Sequence, residues 1–277
     1  MIITIRSIIE RIPALAIFYR NMRDLLDQRK APSRTSWGFS FAGHDAMAQG
    51  SFEPQETKEV LSLLAEAEVF VNIGANVGYY CCHALKMGKP VIAVEPNIRN
   101  LHYLLKNIHN NGWAKLAEVF PVAMGSGADI LKMWGSGTGA SLVKGWAGIP
   151  ESYVTQVPIL SLDRVLGNSL CDKKALILVD IEGAEFMMLQ GAMQALINEP
   201  RPIWMMEISS IEHQPAGISM NPDFAKTFEL FFSKGYRAFT ADEERMEITR
   251  DVVAQVAKGQ QKIGTHNFLF KASSPSI

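Results

Sequence analysis

The sequence predicts an α/β protein with a mostly parallel sheet that is covered by helices on both faces. Strand-like and helix-like segments alternate from residue 69 onwards, and such alternation is typical of parallel sheets, in which crossovers between strands run through helices. The segments 69–73 and 176–181 are apolar almost throughout, as expected of strands that are buried on both faces. Two late strand-like segments, 236–240 and 266–271, flank the polar interval 241–262 and suit an antiparallel hairpin.

The predicted elements follow one another in a regular order. Ahead of the alternation, residues 2–29 are predicted to form an amphipathic helix and residues 54–66 a second helix. The predicted strands are 69–73, 90–95, 116–122, 176–181, 202–208, 236–240 and 266–271, and the predicted helices are 79–87, 98–110, 184–197 and 222–233. Residues 125–148, rich in Gly, Ser and Trp, are predicted to form a loop or short hairpins, and whether they reach a ligand site stays open.

We divide the chain into an N-terminal helical extension, residues 1–50, and a Rossmann-like domain, residues 51–277. Arg6, Glu10 and Arg11 interrupt the apolar start, and the uncharged run that follows, 12–19, is shorter than the roughly 20 residues that a bilayer requires. We therefore expect no membrane span. The helix is expected to pack on the domain or to form a homodimer, with a membrane-surface helix as the alternative.

Composition narrows the class of partner and the compartment. A formal net charge of −1 and a pI near 6.6 give no global basic field, so we expect no nucleic-acid partner. The three cysteines, Cys81, Cys82 and Cys171, match neither a disulfide framework nor a CxxC metal motif. We therefore expect a cytoplasmic protein.

A glycine turn follows the first predicted sheet strand. In the stretch Asn72-Ile-Gly-Ala-Asn-Val-Gly78, Gly74 permits a tight turn and Gly78 lets the next helix pack close to the strand. A dinucleotide fingerprint, GxGxxG, needs a glycine where Asn76 stands, so a pyrophosphate ligand is disfavoured. An amino acid attached to a nucleoside is an alternative ligand for this turn. Glu95, at the end of the next strand, is placed to bind ribose hydroxyls.

Four stretches then resemble one family. They are Val-Asn-Ile-Gly-Ala-Asn-Val-Gly-Tyr-Tyr at 71–80, Val-Ile-Ala-Val-Glu-Pro-Asn at 91–97, the segment 107–112, and Leu-Val-Asp-Ile-Glu-Gly-Ala-Glu-Phe-Met-Met-Leu-Gln-Gly-Ala at 178–192. Together they strongly resemble the FkbM family of S-adenosylmethionine-dependent methyltransferases. The resemblance spans about residues 52–207, with a weaker match at 266–270. It is specific because two motifs occur in order at the expected separation.

The resemblance implies a class I methyltransferase, with a seven-stranded sheet whose last strand is antiparallel. It implies S-adenosylmethionine as the cofactor and S-adenosylhomocysteine as its product. By position, the methionine end would be lined by Asn72, Gly74, Ala75, Asn76 and Gly78, the ribose would be bound by Glu95, and the cofactor site would also include Tyr79, Pro96, Asn97, Ala123 and Asp180. The family usually has Asp where this chain has Asn72, so a negative charge that would favour a bound ammonium or sulfonium is lost.

A second group of acids follows a later strand, in Asp180-Ile-Glu-Gly-Ala-Glu185. Alternation along a strand puts Asp180 and Glu182 on the same side, across the cleft from the glycine turn. Methyl transfer to a hydroxyl benefits from a base within hydrogen-bond reach, and our candidates are Asp180, Glu182, Glu207 and His213. The structural alternatives are an ion pair for Asp180 and a favourable helix N-terminus for Glu185, and for Glu185 we prefer the structural role.

We assign no metal ligand. Asp180, Glu182 and Glu207 are oxygen donors that could hold a divalent ion, but their spacing does not demand one. The histidines at 44, 83, 102 and 109 form no HxxxH pair, so zinc is not expected. We expect His266 to pack or to cap a strand rather than to take part in chemistry.

The function favoured by the resemblance is O-methylation of a hydroxyl on a saccharide or other small-molecule acceptor. Within enzymes, N-methylation is the alternative. Methylation of a nucleic acid base would call for an Asn/Asp-Pro-Pro-aromatic motif, where this chain has Asp-Ile-Glu-Gly. A catalytically idle cofactor-binding protein of the same fold is a different class of alternative, and a nicotinamide oxidoreductase is weakened by the missing middle glycine.

Overall fold

A computed structural model describes residues 31–272 of the chain, which form three sheets and the helices around them. The strands are β1 (Ser33–Arg34), β2 (Ser40–Phe41), β3 (Val69–Ile73), β4 (Val91–Val94), β5 (Ala117–Phe120), β6 (Ala123–Met124), β7 (Asp129–Trp134), β8 (Val154–Leu160), β9 (Ala175–Val179), β10 (Ile203–Glu207), β11 (Tyr236–Thr240), β12 (Glu247–Ile248) and β13 (Asn267–Ala272). The α-helices are α1 (Asp45–Gln49), α2 (Pro54–Glu66), α3 (Tyr79–Lys86), α4 (Ile98–Asn110), α5 (Leu162–Leu166), α6 (Glu185–Leu189), α7 (Phe224–Ser233) and α8 (Arg250–Ala257).

The main sheet has the strand order β12-β11-β13-β10-β9-β3-β4-β5. Strands β5, β4, β3, β9 and β10 are parallel, whereas β13 lies between β10 and β11 and is antiparallel to both. The predicted mostly parallel sheet with a reversed last strand is therefore confirmed. The two-residue β12 adds an eighth strand at the edge, antiparallel to β11, where the sequence predicts seven.

The chain enters this sheet at its centre, which fixes where a ligand can bind. Strand β3 pairs with β4 on one side and with β9 on the other, so the strand order reverses between β3 and β9. Every residue of β3 and β9 is buried. Val71 of β3 packs into the core on one face of the sheet and Phe70 into the core on the other. The carboxyl ends of β3 and β9 thus form the crevice where ligands of open α/β sheets bind.

Two parts of the element prediction are wrong for reasons of tertiary structure. The helix predicted over 184–197 ends at Leu189, because the chain passes so close to Gly125 that a Cβ on Gly191 would lie 2.2 Å from its carbonyl oxygen. The carboxylate of Asp163 then accepts 2.9 Å hydrogen bonds from the N–H groups of Gln194 and Ala195 and starts a separate 3₁₀ turn.

The second error is that the sequence analysis did not predict the sheet of β6, β7 and β8 or the helix α8. Strand β8 pairs with β6 in parallel and with β7 in antiparallel, so residues 125–148 contribute one strand of a three-stranded sheet. The polar interval 241–262 holds β12 and α8, and the Thr249 side chain caps α8 by accepting a hydrogen bond from the Val252 N–H.

The N-terminal helix predicted over 2–29 lies outside the described residues. The described part of the predicted extension forms the β1–β2 hairpin and α1, and its Phe39, Phe41 and Met47 pack against α3. Asn107 of α4 ties the hairpin down, since its Nδ2 donates a 2.9 Å hydrogen bond to the Ala42 carbonyl. The domain boundary at residues 50 and 51 stays a prediction. No helix within residues 31–272 is long and apolar enough to cross a membrane.

Candidate active site

Two adjoining pockets lie at the carboxyl ends of β3, β4, β9 and β10. The nucleoside pocket, as we name the first, has a volume of about 580 Å³ and is lined by Ile73, Gly74, Asn76, Val94, Glu95, Pro96, Asn100, Val122, Ala123, Met124, Met133, Gly137, Thr138, Ala140, Leu142, Asp180, Ile181, Glu182 and Ala184. The acidic pocket, as we name the second, has a volume of about 540 Å³ and is lined by Met47, Phe52, Glu53, Glu56, Asn72, Gly74, Ala75, Asn76, Tyr79, Tyr80, Leu178, Val179, Asp180, Met205, Glu207 and Asn267. Gly74, Asn76 and Asp180 line both pockets, so the pockets adjoin, and we refer to the two together as the cleft.

Gly74 and Asp180 form the boundary between the pockets. Gly74 has a φ of 83°, and a Cβ added to it would lie 1.8 Å from the carbonyl oxygen of Asp180. The Asp180 N–H donates a 3.0 Å hydrogen bond to the Ile73 carbonyl, which continues the pairing of β3 with β9 past the ends of both strands. Only glycine therefore fits between the two strand ends.

Glu95 is buried, with 4% of the residue exposed, and lines the nucleoside pocket. Its Oε2 accepts a 2.7 Å hydrogen bond from the Asn76 N–H, and its Oε1 accepts a 2.8 Å hydrogen bond from the Asn97 N–H. The Asn100 amide donates to the same Oε1 at 3.3 Å. Burial raises the pKa of Glu95 to about 7 against the opposing effect of these donors. Glu95 thus fixes the glycine turn as well as facing the nucleoside pocket.

Asn72 and Tyr79 are buried side chains at the wall of the acidic pocket. The Asn72 amide donates a 3.4 Å hydrogen bond to the Cys81 sulfur, and burial raises the pKa of that thiol to about 12, so the pair is neutral. The Tyr79 hydroxyl has no hydrogen-bond partner in the described part of the chain. A buried hydroxyl without a partner is costly, which marks it as a group that a ligand would satisfy.

Four carboxyl groups line the acidic pocket, and the pKa values of three of them, Glu53, Asp180 and Glu207, are raised. Burial of the Asp180 carboxyl group, followed by the neighbouring Glu207, raises its pKa well above its ordinary value, although the residue as a whole is exposed. Burial, followed by the charges of Glu182 and Glu185, raises the pKa of Glu207 to about 8. Glu53 accepts a 2.9 Å hydrogen bond from the Tyr80 hydroxyl, and burial raises its pKa too.

Residues 125–148 reach the site directly, because Met133, Gly137, Thr138, Ala140 and Leu142 line the nucleoside pocket. The Trp146 indole N–H donates a 2.6 Å hydrogen bond to Oε2 of Glu182, and the Ser141 hydroxyl donates to the Glu182 carbonyl at 2.5 Å. The indole ring lies directly over Gly183, so a larger residue there would meet the ring. This segment is therefore a wall of the nucleoside pocket rather than a plain turn.

Some of the remaining predicted site residues line a pocket, and others cap or pack against a helix. Pro96 and Ala123 line the nucleoside pocket, and Ala75 lines the acidic pocket. Asn97 lies outside both linings and caps α4, since its side chain accepts hydrogen bonds from the N–H groups of Arg99 and Asn100. Gly78 also lies outside them and packs on Leu104 of α4.

The second group of predicted residues is similarly divided. Glu185 is buried, accepts a 2.9 Å hydrogen bond from the Gly183 N–H, and has a pKa raised by burial to about 7. His213 is exposed and lies outside both linings, with its ring centroid 6.0 Å from that of Trp146. Nε2 of His266 lies 3.8 Å from Oε1 of Glu207. In residues 31–272, no three His, Cys, Asp or Glu side chains are arranged to hold a metal ion.

Several lining residues were missed by the sequence analysis. Glu53 and Glu56 come from the start of α2, which no motif connects to β3, so no local signal points to them. Tyr80 directly follows Tyr79 in the glycine-turn stretch and was within reach of sequence reasoning. Asn100 lies five positions after Glu95 and holds the nucleoside-pocket wall through a 3.1 Å hydrogen bond to the Gly137 carbonyl.

The fold and the cleft define a class of protein. A parallel sheet with a reversed strand between β10 and β11, a glycine turn after the central strand and a buried acid after its neighbour are together the arrangement of class I, Rossmann-like methyltransferases.

The comparison with protein families agrees, and it is more specific. Residues 72–238, more than half of the chain, match the family model described as the methyltransferase FkbM domain. The chain belongs to this family of methyltransferases. A search of curated proteins gave no significant match.

Solved structures of methyltransferases are similar in fold. A methyltransferase FkbM from Methylobacillus flagellatus KT has a TM-score of 0.45 and 18% identity, with 92% of this chain and 60% of that chain covered. An O-methyltransferase from Bacillus cereus in complex with S-adenosylhomocysteine has a TM-score of 0.43 and 12% identity, with 79% and 80% covered. Fibrillarin from Aeropyrum pernix, with natively bound S-adenosyl-L-methionine, has a TM-score of 0.40 and 10% identity, with 78% and 73% covered. This chain thus spans about three fifths of the length of the Methylobacillus protein.

Proposed function

We propose that the protein is an S-adenosylmethionine-dependent O-methyltransferase that methylates a hydroxyl of a saccharide or another small molecule. The observation that carries the proposal is the cleft formed by two pockets that adjoin at the Gly74–Asp180 boundary. At one end it has the buried carboxylate of Glu95, and at the other end it has several acids with raised pKa values.

The residues of the cleft fit this cofactor. Each carboxylate oxygen has two lone pairs, and Oε2 of Glu95 accepts one hydrogen bond from the Asn76 N–H, so it can accept another from a ribose hydroxyl. In the acidic pocket, Asp180 and Glu207 can balance an ammonium and a sulfonium, which compensates for the charge missing at Asn72. Helix α3 begins beside this pocket without a side-chain cap, and helix N-termini favour carboxylates.

The cofactor supplies a methyl group on a sulfonium, whose carbon–sulfur bond breaks with its electron pair remaining on sulfur. The protein's task is to align the acceptor hydroxyl with that bond and to take up the hydroxyl proton as the new carbon–oxygen bond forms. Glu207 suits the second role best, because a general base works most effectively when its pKa is near the working pH, and its pKa is about 8. Asp180 and Glu182 are the other candidates in the cleft, and His213 lies outside the lining of both pockets.

Calorimetric titration with S-adenosylhomocysteine, with NAD as the control, tests the cofactor assignment. We expect micromolar binding of S-adenosylhomocysteine and none of NAD. Failure to bind S-adenosylhomocysteine would mean that the protein descends from this family but does not use the cofactor.

Transfer of a labelled methyl group to hydroxylated acceptors then tests the reaction. Glu207→Gln should lose at least about 100-fold in turnover, the usual contribution of a general base. It should still bind S-adenosylhomocysteine, because this product has no sulfonium and Asp180 remains to balance its ammonium. Glu199→Gln, an exposed change beyond the opposite end of β10, is the matched control and should behave like the unchanged protein. Methyl transfer only to amines would favour the N-methyltransferase alternative, and tight binding without any turnover would favour the idle protein.

A further inference from the structure

The ionisable side chains that line the acidic pocket are all acids. Its lining includes Glu53, Glu56, Asp180 and Glu207, and none of the described residues that line it is Lys, Arg or His. Nε2 of His266, which lies outside the lining, is 3.8 Å from Oε1 of Glu207. Burial and the neighbouring acids raise the pKa values of Asp180 and Glu207, so these carboxyl groups hold protons near neutral pH in the ligand-free protein, and a bound cation would favour their ionised forms.

A second observation also points to a ligand in this pocket. Tyr79 is 2% exposed, it lines the pocket, and its hydroxyl has no partner among the described residues. The rings of Phe52 and Tyr80 lie 5.5 and 5.2 Å from the Tyr79 ring, both edge-on, and form an aromatic corner. Aromatic faces and carboxylates together are the surroundings that proteins offer to organic ammonium ions.

The proposed cofactor does not balance this charge by itself. It carries an ammonium, a sulfonium and a carboxylate, so its net charge is a single positive one, against the four acids of the pocket. One of these acids is needed as the base that accepts the hydroxyl proton. Carboxyl groups therefore remain in the pocket that can ionise and pair with a second, cationic ligand.

We propose, resting on the function proposed above, that the acceptor is a hydroxyl compound that carries a protonated amine, such as an amino sugar or an amino alcohol. The carboxylates of the acidic pocket bind the ammonium while the hydroxyl faces the methyl donor. Acceptors that carry a carboxylate or a phosphate are excluded, because the described lining offers them no cationic partner.

Calorimetry on the full chain saturated with S-adenosylhomocysteine tests the inference with three sugars that share one ring: glucosamine, glucose and glucuronate. We expect glucosamine to bind at least about tenfold more tightly than glucose, and glucuronate to bind most weakly. Equal affinities, the reverse order, or no binding of any of the three would overturn the inference. Because S-adenosylhomocysteine binding is measured first, failure of the proposed function is seen separately from failure of this inference.

Two variants in helix α2 show whether the pocket charge is responsible. Glu56 lines the pocket at the start of the helix, and Glu56→Gln should reduce the preference for glucosamine over glucose at least about threefold. Glu66 is exposed at the other end of the same helix, about 15 Å away, and Glu66→Gln should leave the preference unchanged. An unchanged preference in Glu56→Gln, or an equal loss in both variants, would contradict the assignment.

Discussion

The carboxylate of Glu95 accepts a 2.7 Å hydrogen bond from the backbone N–H of Asn76, a residue with a left-handed φ of 52°. The side chain that is placed to bind a ribose therefore also holds the turn that forms the rest of the cofactor site. Any change at Glu95 acts on both, and variants must be chosen to separate the two effects.

Glu95→Gln should weaken S-adenosylhomocysteine binding by at least about tenfold, or 1.4 kcal/mol, with a small loss of stability. Glutamine keeps one oxygen for a backbone N–H but replaces the other acceptor with a donor. Glu95→Ala should in addition lower the free energy of unfolding by about 1–3 kcal/mol, because the buried N–H groups of Asn76 and Asn97 lose their acceptor. Calorimetry and chemical denaturation measure the two effects. Unchanged affinity in Glu95→Gln would remove Glu95 from the ribose site.

Gly74→Ala should destabilise the protein by about 3–5 kcal/mol and abolish cofactor binding. The added methyl group would lie 1.8 Å from the Asp180 carbonyl oxygen, so the ends of β3 and β9 would have to move apart. Gly88→Ala is the matched control, with a φ of 73° and nothing within 4 Å of the added Cβ, and should cost only about 1–2 kcal/mol. Denaturant unfolding compares them, and equal costs would show that the close approach is relieved easily.

Asn72→Asp should not improve cofactor affinity, although it introduces the residue usual in the family. The aspartate would lose the amide donated to Cys81 and would add an acid to the wall of a pocket that already contains Asp180 and Glu207. We expect a loss of about 1–3 kcal/mol in stability, against no change for the exposed Asn168→Asp. A rise in affinity for S-adenosylhomocysteine would show that the remaining acids do not compensate for Asn72.

The ligand-free protein should lose stability as the pH rises from about 6.5 to 8. In this window the carboxyl groups of the unfolded chain are already ionised, while the pKa values of Glu95 and Glu185 are about 7 and that of Glu207 about 8 in the folded protein. The folded state therefore binds more protons, and the free energy of unfolding falls as they are lost. The lowered pKa of His83, about 4, gives the opposite slope between about pH 4 and 6.5, and this contribution fades as the pH rises further.

Glu185→Gln should remove roughly 1 kcal/mol of this loss, since it eliminates one of the groups that titrate. The exposed Glu118→Gln should leave the pH dependence as it is. The melting temperatures of the unchanged protein and of the two variants, measured between pH 6.5 and 8, give the comparison. A melting temperature that rises with pH in the unchanged protein would contradict the raised pKa values.

The sequence predicts the parts of this fold that local pattern determines. Strands β3 and β9 are apolar runs buried on both faces, and α4 has a cap at Asn97 and ends at Asn110, so pattern and structure agree. The end of α6 depends on Gly125, which is distant in sequence, and no local signal shows it. Strand β8 was missed because it is stabilised by pairing with β6 and β7, which its own sequence does not reveal.

The same division holds at the site. The positions of Gly74, Glu95 and Asp180 follow from strand ends and spacing, and all three line the cleft. The hydrogen bond between Trp146 and Glu182 joins residues 36 positions apart, and it could not be predicted without the fold. The side chain of Asn97, at the start of the predicted helix, caps α4 in the structure, and its assignment to the cofactor site stays a prediction.

Strand β13 enters the sheet between two strands that precede it in the chain, and this has a consequence for synthesis on the ribosome. Until residues 267–272 have emerged, β10 and β11 have no partner between them and each presents an unpaired edge. Asn267 of that strand is also part of the acidic-pocket lining, beside Glu207. A chain that ends before β13 thus has two unpaired strand edges and an incomplete acidic-pocket lining. We expect such a chain to aggregate rather than to fold into a protein of reduced activity.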